Sequence, residues 1–109
     1  MKLTVAGIKI KITQAIEDHL QKKIEKVLKD LPDLADVHVA LRVENYRHFA
    51  EVTVKTKGFT VHGESETSDL YTSMDEAVEK VGKQIKKHRD RSKTLKIKQN
   101  VAEKDKIID

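Results

Sequence analysis

The sequence predicts an α+β fold, a two-layer sandwich of element order β-α-β-β-β-α, in which a four-stranded sheet carries two helices on one face. Three observations predict it. Residues 68–91, SDLYTSMDEAVEKVGKQIKKHRDR, place apolar side chains at three- and four-residue steps, the spacing of one helix face. A second stretch of helical period lies near the start, from Thr13 to about Leu31. Strand-like segments of alternating apolar and polar residues account for most of the rest.

Lys2–Gly7 opens the chain as a half-buried strand, with Leu3 and Val5 on one side and Lys2, Thr4 and Ala6 on the other. Ile8, Ile10 and Ile12 continue to alternate with Lys9 and Lys11, which fits either a longer strand or a tethered loop. Thr13 caps the first helix, and Ile16, Leu20, Ile24, Val27, Leu28 and Leu31 form its apolar stripe. Pro32 stops it, because proline has no N–H to donate and disfavours helix at the residue before it. Lys22, Lys26 and Lys29 share its solvent face and Lys23 flanks the stripe; Glu17, Asp18, Glu25 and Asp30 dilute the positive charge.

Val37, Val39, Leu41 and Val43 alternate strictly through Asp36–Glu44. A short turn at Asn45–Arg47 leads to a third strand, His48–Thr56, marked by Ala50, Val52 and Val54. Lys57-Gly58 turns the chain again, and Phe59, Val61 and Gly63 line the inner side of a fourth strand ending near Glu66. The long helix follows, capped by Ser68 and buried through Leu70, Met74, Ala77, Val78, Val81 and Ile85. Gly82 beside that stripe reads as a tolerated glycine, with close approach to the sheet as the other explanation. The first helix joins two strands by a crossover, which makes them parallel neighbours, and the last three strands form a meander. One apolar stripe per helix and one apolar side per strand are buried together when both helices cover the same sheet face. This domain spans residues 1–91, and 92–109 reads as a flexible C-terminal tail, with Leu95 and Ile97 as a possible short added strand.

The chain has 109 residues, 38% hydrophobic and 37% charged, enough for one domain with a modest core and a very polar surface. Its net charge of +4 favours an anionic partner. With no cysteine, disulfides, thiolate metal sites and cysteine nucleophiles are excluded, which fits a reducing compartment. A strand from Lys2 leaves no room for a signal peptide, and no apolar run approaches the ~20 residues that span a bilayer, so a cytoplasmic protein without membrane contact is expected.

The row from Lys80 to Arg91 concentrates basic residues: Lys80, Lys83, Lys86, Lys87, Arg89 and Arg91, against Asp90 alone. At about 100° per residue, Lys80, Lys83, Lys87 and Arg91 turn away from the apolar stripe. Such a row suits a phosphate backbone. It equally suits the helix dipole, since Asp69, Asp75, Glu76 and Glu79 precede it. His19, His38, His48, His62 and His88 are dispersed without a metal-ligand spacing, and no nucleophile elbow or phosphate-cradling glycine loop occurs. No enzyme activity, cofactor, metal or small-molecule substrate is expected. Tyr46, Phe49, Phe59 and Tyr71 do not form the paired aromatics of a base-stacking sheet, which leaves phosphate contact from helix faces.

Three stretches, KLTVAGIKIKIT, VHVALRVE and the long helix itself, resemble the ribosome hibernation-promoting family in its short form, related to ribosome-associated inhibitor A. Asp69, Tyr71, Met74, Asp75, Lys80, Gln84, Lys87 and His88 carry the resemblance most specifically, and it covers about residues 1–91. The resemblance implies a βαβββα fold similar to double-stranded RNA-binding domains. It implies the small ribosomal subunit and its rRNA as partner, in the channel between head and body, over the sites for messenger RNA and for aminoacyl- and peptidyl-tRNA. Family members inhibit translation and preserve idle ribosomes in stationary phase or stress. Lys23, Lys26, Lys80, Lys83, Lys87 and Arg89 match the family's basic positions, with an implied role in rRNA phosphate contact. Lys22, Lys29, Lys86 and Arg91 join them from the helix faces as the expected rRNA-binding set. A monomer off the ribosome is expected. The resemblance ends after Arg91, where long members carry a ribosome-pairing domain, so ribosome dimerisation and single-ribosome silencing both stay open. A free double-stranded RNA-binding module and a protein–protein adaptor are the competing readings.

Overall fold

A computed structural model describes residues 2–28 and 35–98, with side chains up to residue 88. The elements run β1 (Lys2–Ile8), α1 (Gln14–Val27), β2 (Asp36–Glu44), β3 (Arg47–Lys55), β4 (Thr60–Thr67) and α2 (Leu70–Lys98). The strands form one sheet in the order β1-β2-β3-β4. β1 and β2 are parallel, with Leu3 opposite Val37 and Val5 opposite Val39, and the other two pairings are antiparallel. This is the expected architecture.

The alternation of β2 and β3 sends Val37, Val39, Leu41, Ala50, Val52 and Val54 to one face, where all are buried. Ile16, Leu20 and Ile24 from α1 and Met74, Ala77, Val78, Val81 and Ile85 from α2 complete the same core, so both helices lie on that face. At about 25 cal/mol per Å² of apolar area removed from water, this shared layer is the main source of stability. Leu3 and Val5 of β1 and Val27, at the end of α1, pack at its margin. Among the described residues, no helix is long and apolar enough to cross a membrane.

Several boundaries differ from the sequence reading. β1 stops at Ile8, where Lys9 takes a left-handed backbone (φ 60), so Ile10 and Ile12 belong to a loop packed against the core rather than to a longer strand. Thr13 caps α1 as expected, its Oγ1 accepting the Ile16 N–H at 3.2 Å, and the Leu28 N–H closes the helix on the Ile24 carbonyl. The helix thus stops at Val27, short of the expected Leu31, so Pro32 is not what ends it; Leu31 and Pro32 themselves lie outside the described residues. Glu44 pairs with Arg47 across a two-residue hairpin loop, in which Asn45 adopts φ 60, a conformation asparagine tolerates well.

The cap of α2 is Asp69, not Ser68. The helix starts at Leu70, which leaves Ser68 one residue too early to reach the first-turn amides. Asp69 Oδ2 accepts both the Thr72 N–H and the Thr72 hydroxyl at 2.9 Å. These two bonds, the amide first, hold the Asp69 carboxyl below the usual carboxylate range. The fully buried Ser73 donates its hydroxyl to the His48 carbonyl, fastening this turn to β3. At its other end α2 runs to Lys98, beyond the expected Arg91, so the backbone of residues 92–98 is helical and the helix–tail change is not at Ser92. SKTLKIK contains no glycine or proline, and extending an existing helix adds one hydrogen bond per residue fixed. Leu95 and Ile97 are therefore in helix rather than an added strand, and residues 99–109 lie outside the described residues.

Two glycines set how closely α2 can pack. A Cβ on Gly63 of β4 would lie 2.9 Å from Val81 Cγ2 and 3.0 Å from the Ala77 carbonyl oxygen. A Cβ on Gly82 would lie 2.5 Å from Val27 Cγ1. Gly82 therefore lies in close approach to Val27 of α1, not to the sheet, and a Cβ there would force the Val27 side chain to shift.

Replacing Gly63 by alanine should push α2 off the sheet and cost about 1–3 kcal/mol in urea unfolding. Gly58→Ala, where an added Cβ meets nothing within 4 Å, should stay within about 0.5 kcal/mol of the parent. Asp69→Ala should lower the melting temperature at neutral pH, and Ser68→Ala should not. Because the folded-state pKa of Asp69 is lowered, its contribution is present above the usual carboxylate range and lost as pH falls through its own lower value. Melts at decreasing pH should therefore show the gap between parent and Asp69→Ala closing in acid.

Candidate nucleic-acid interface

The two helices lie side by side, and their facing sides are joined by polar contacts. Lys23 Nζ of α1 donates to Glu79 Oε2 of α2 at 2.7 Å. One turn earlier on each helix, His19 Nε2 is 2.7 Å from Asp75 Oδ1. The Tyr71 ring stands edge-on to His19 with centroids 4.7 Å apart. The hydrogen bond to Glu79 keeps the Lys23 ammonium above its usual pKa and holds Glu79 below the carboxylate range. Lys83 and Lys26 add to the lowering at Glu79, which places cations from both helices around one carboxylate.

The expected basic residues divide into three groups. Lys22 and Lys26 on α1, and Lys83, Lys86 and Lys87 on α2, are exposed, and no ion pair among the described residues involves them. Two others are committed to the protein. Lys23 is half-buried and bonded to Glu79. Lys80 is exposed, yet its Nζ donates to the Glu64 carbonyl at 2.8 Å, beside Gln84 Nε2 on the His62 carbonyl at 2.6 Å. Lys80 and Gln84 thereby occupy acceptors of β4, a strand that among the described residues pairs only with β3. Lys29 lies outside the described residues; Arg89 and Arg91 are placed by backbone alone, on α2.

By position in the sequence, Asp75 and Glu79 are helix-dipole acids; in the fold they pair with α1. The signal for their other role was present: His19 and Lys23 are four residues apart on one helix, and Asp75 and Glu79 four apart on the other. Two such pairs of opposite character can meet across an interface. The result is a ridge in which Asp75 and Glu79 are paired with His19 and Lys23 across the helix seam, while the ammonium groups of Lys22, Lys26, Lys83, Lys86 and Lys87 form no ion pair among the described residues. Flexible ammonium groups on rigid helices read the spacing of phosphates rather than base identity.

The chain is similar to known proteins over more than four-fifths of its length. A ribosome hibernation promoting factor of Escherichia coli K12 is 29% identical over 93 residues, covering 85% of this chain and 98% of that protein. One from Pseudomonas putida is 26% identical over 95 residues, covering 87% and 93%. The crystal structure of the Thermus thermophilus Protein Y N-terminal domain superposes with a TM-score of 0.74 at 29% identity, covering 81% of this chain and 99% of that one. A ribosomal subunit interface protein from Coxiella burnetii shares the fold with a TM-score of 0.74 at 22% identity, over 83% and 99%. The profile described as Sigma 54 modulation protein / S30EA ribosomal protein matches residues 3–93, and the chain belongs to that family.

Proposed function

We propose that this chain is a ribosome hibernation factor that binds the small ribosomal subunit through rRNA phosphates and inhibits translation by occupancy. One observation carries the mechanism: Lys23, Lys26 and Lys83, drawn from both helices, gather around Glu79 on a single ridge on the helix-covered side of the sheet. The names of the relatives favour the ribosome over free duplex RNA as the partner. The contact set is Lys22, Lys26, Lys83, Lys86 and Lys87, with Lys29, Arg89 and Arg91 extending it. Lys23 and Lys80 add to the local potential while serving the protein's own packing. Seated in the messenger RNA and tRNA channel, the ridge excludes both ligands and preserves the idle ribosome in stationary phase or stress. The setting is the cytoplasm, and no bond is made or broken.

Purified protein should co-sediment with vacant small subunits on a sucrose gradient, near one copy each, and initiator tRNA with messenger RNA should displace it. Lys83→Glu/Lys87→Glu should abolish co-sedimentation while the circular dichroism spectrum is retained; unchanged binding would sink the mechanism. With about five phosphate contacts, log affinity should fall against log salt with a slope of about −4. Glu79→Gln removes the acid at the centre of the ridge and releases Lys23. It should tighten ribosome binding about threefold at low salt while lowering the melting temperature.

A further inference from the structure

The sheet face away from the helices, uncovered among the described residues, carries a second chemical cluster. In the β3–β4 register Glu51 stands opposite Glu64, and Thr53 opposite His62. Side chains two apart on a strand point the same way, so His62 and Glu64 share the outer face with Glu51. One donor atom from each of Glu51, His62 and Glu64 lies within 4.8 Å of the others, and His62 Nε2 is 3.8 Å from Glu64 Oε1. Donors bound to one tetrahedral cation at about 2.0–2.2 Å stand about 3.4 Å from each other. All three side chains are exposed, so small rotations close that difference without moving the strands.

Two further features separate this set from scattered surface charge. The other ring nitrogen, His62 Nδ1, is 2.9 Å from Thr53 Oγ1 on the neighbouring strand. A proton held on Nδ1 by that hydroxyl leaves the Nε2 lone pair directed at the carboxylates, the usual outer support of a metal-binding imidazole. Glu51 and Glu64 are also like charges directly opposite each other, which is unfavourable without a cation between them. Among the described residues neither forms an ion pair with a lysine or arginine. The Lys80 ammonium at this end of the sheet is bonded to the Glu64 backbone, not to either carboxylate.

We propose that Glu51, His62 and Glu64 bind one first-row divalent transition-metal cation of the Zn²⁺ class, with Thr53 as the positioning residue. One imidazole and two carboxylates suit such an ion better than Mg²⁺ or Ca²⁺, which favour all-oxygen sets. The bound cation ties β4 to β3 on the face away from the basic ridge, so it raises stability without competing for phosphates.

The test is titration of the full chain with ZnCl₂ by calorimetry, together with NMR of the histidine rings. The expected result is one Zn²⁺ per chain, a raised melting temperature, and a shift of the His62 ring ahead of His19, His38, His48 and His88. His62→Ala and Glu51→Gln/Glu64→Gln should abolish binding, and His38→Ala should leave it unchanged. Thr53→Val, which keeps all three ligands, should weaken binding about 10- to 100-fold. Circular dichroism of each variant shows whether the fold is retained, and exposed positions give no reason for its loss. No uptake at a large excess of Zn²⁺, uptake that survives the ligand variants, or a shift centred on another histidine would each overturn the proposal.

Discussion

The short distance between α2 and its two neighbours is the constraint on which the other features rest. Gly63 beneath the helix and Gly82 on its side remove the two Cβ atoms that would hold it away from β4 and α1. Van der Waals contact is lost within about an ångström of separation, so a helix held off by one methyl would forfeit part of the core. It would also lose reach. Lys80 and Gln84 bond to β4 carbonyls, and Glu79 and Asp75 meet Lys23 and His19. The same close packing that buries Val78 and Val81 brings the lysines of two helices, 56 residues apart at the Lys23–Glu79 contact, onto one ridge.

Gathering cations this way is unfavourable in the free protein, because like charges repel and each extra lysine raises the local potential. Asp75 and Glu79 offset that cost. The hydrogen bond from Lys23, and then the charges of Lys23, Lys83 and Lys26, hold the Glu79 carboxyl below the usual carboxylate range. That carboxylate is bonded to Lys23 while half of the side chain stays in solvent, so it compensates the patch from within. A salt bridge at a half-exposed site contributes little to stability, so its position says more about organising the surface than about holding the fold.

Most of the fold was legible because burial writes itself into sequence as a period. The strict alternation of Val37, Val39, Leu41 and Val43 and the stripe from Met74 to Ile85 each left one consistent arrangement. What escaped depends on single-residue offsets or on contacts between distant segments. Ser68 and Asp69 are both good caps, and only the helix start chooses between them. Gly82 and Lys80 look ordinary in a helical wheel; Val27 and the Glu64 carbonyl, which define their roles, lie far away in sequence. The basic face was legible as a set of lysines, but not as a division between exposed and committed ones. That division depends on which side of the helix meets β4 and which meets α1. Glu51, His62 and Glu64 were invisible for a similar reason, since the strand register alone brings Glu51 to the other two.

The division among lysines bears on how the proposed phosphate contact would work. An ammonium has three donors, and Lys80 uses one on the Glu64 carbonyl, so its charge persists while its position is fixed. Lys83, Lys86 and Lys87 keep their rotational freedom and can adjust to phosphates that are not in one ideal place. Ordering each of them on a partner costs about 0.5–1.5 kcal/mol. The helices limit the total cost, because their backbones are already fixed and only side chains remain to be ordered. A disordered basic tail of equal charge would have to order its backbone as well, at about 1–2 kcal/mol per residue. A small folded domain with few aromatics therefore suits a partner recognised by the layout of its phosphates, where charge must arrive already arranged.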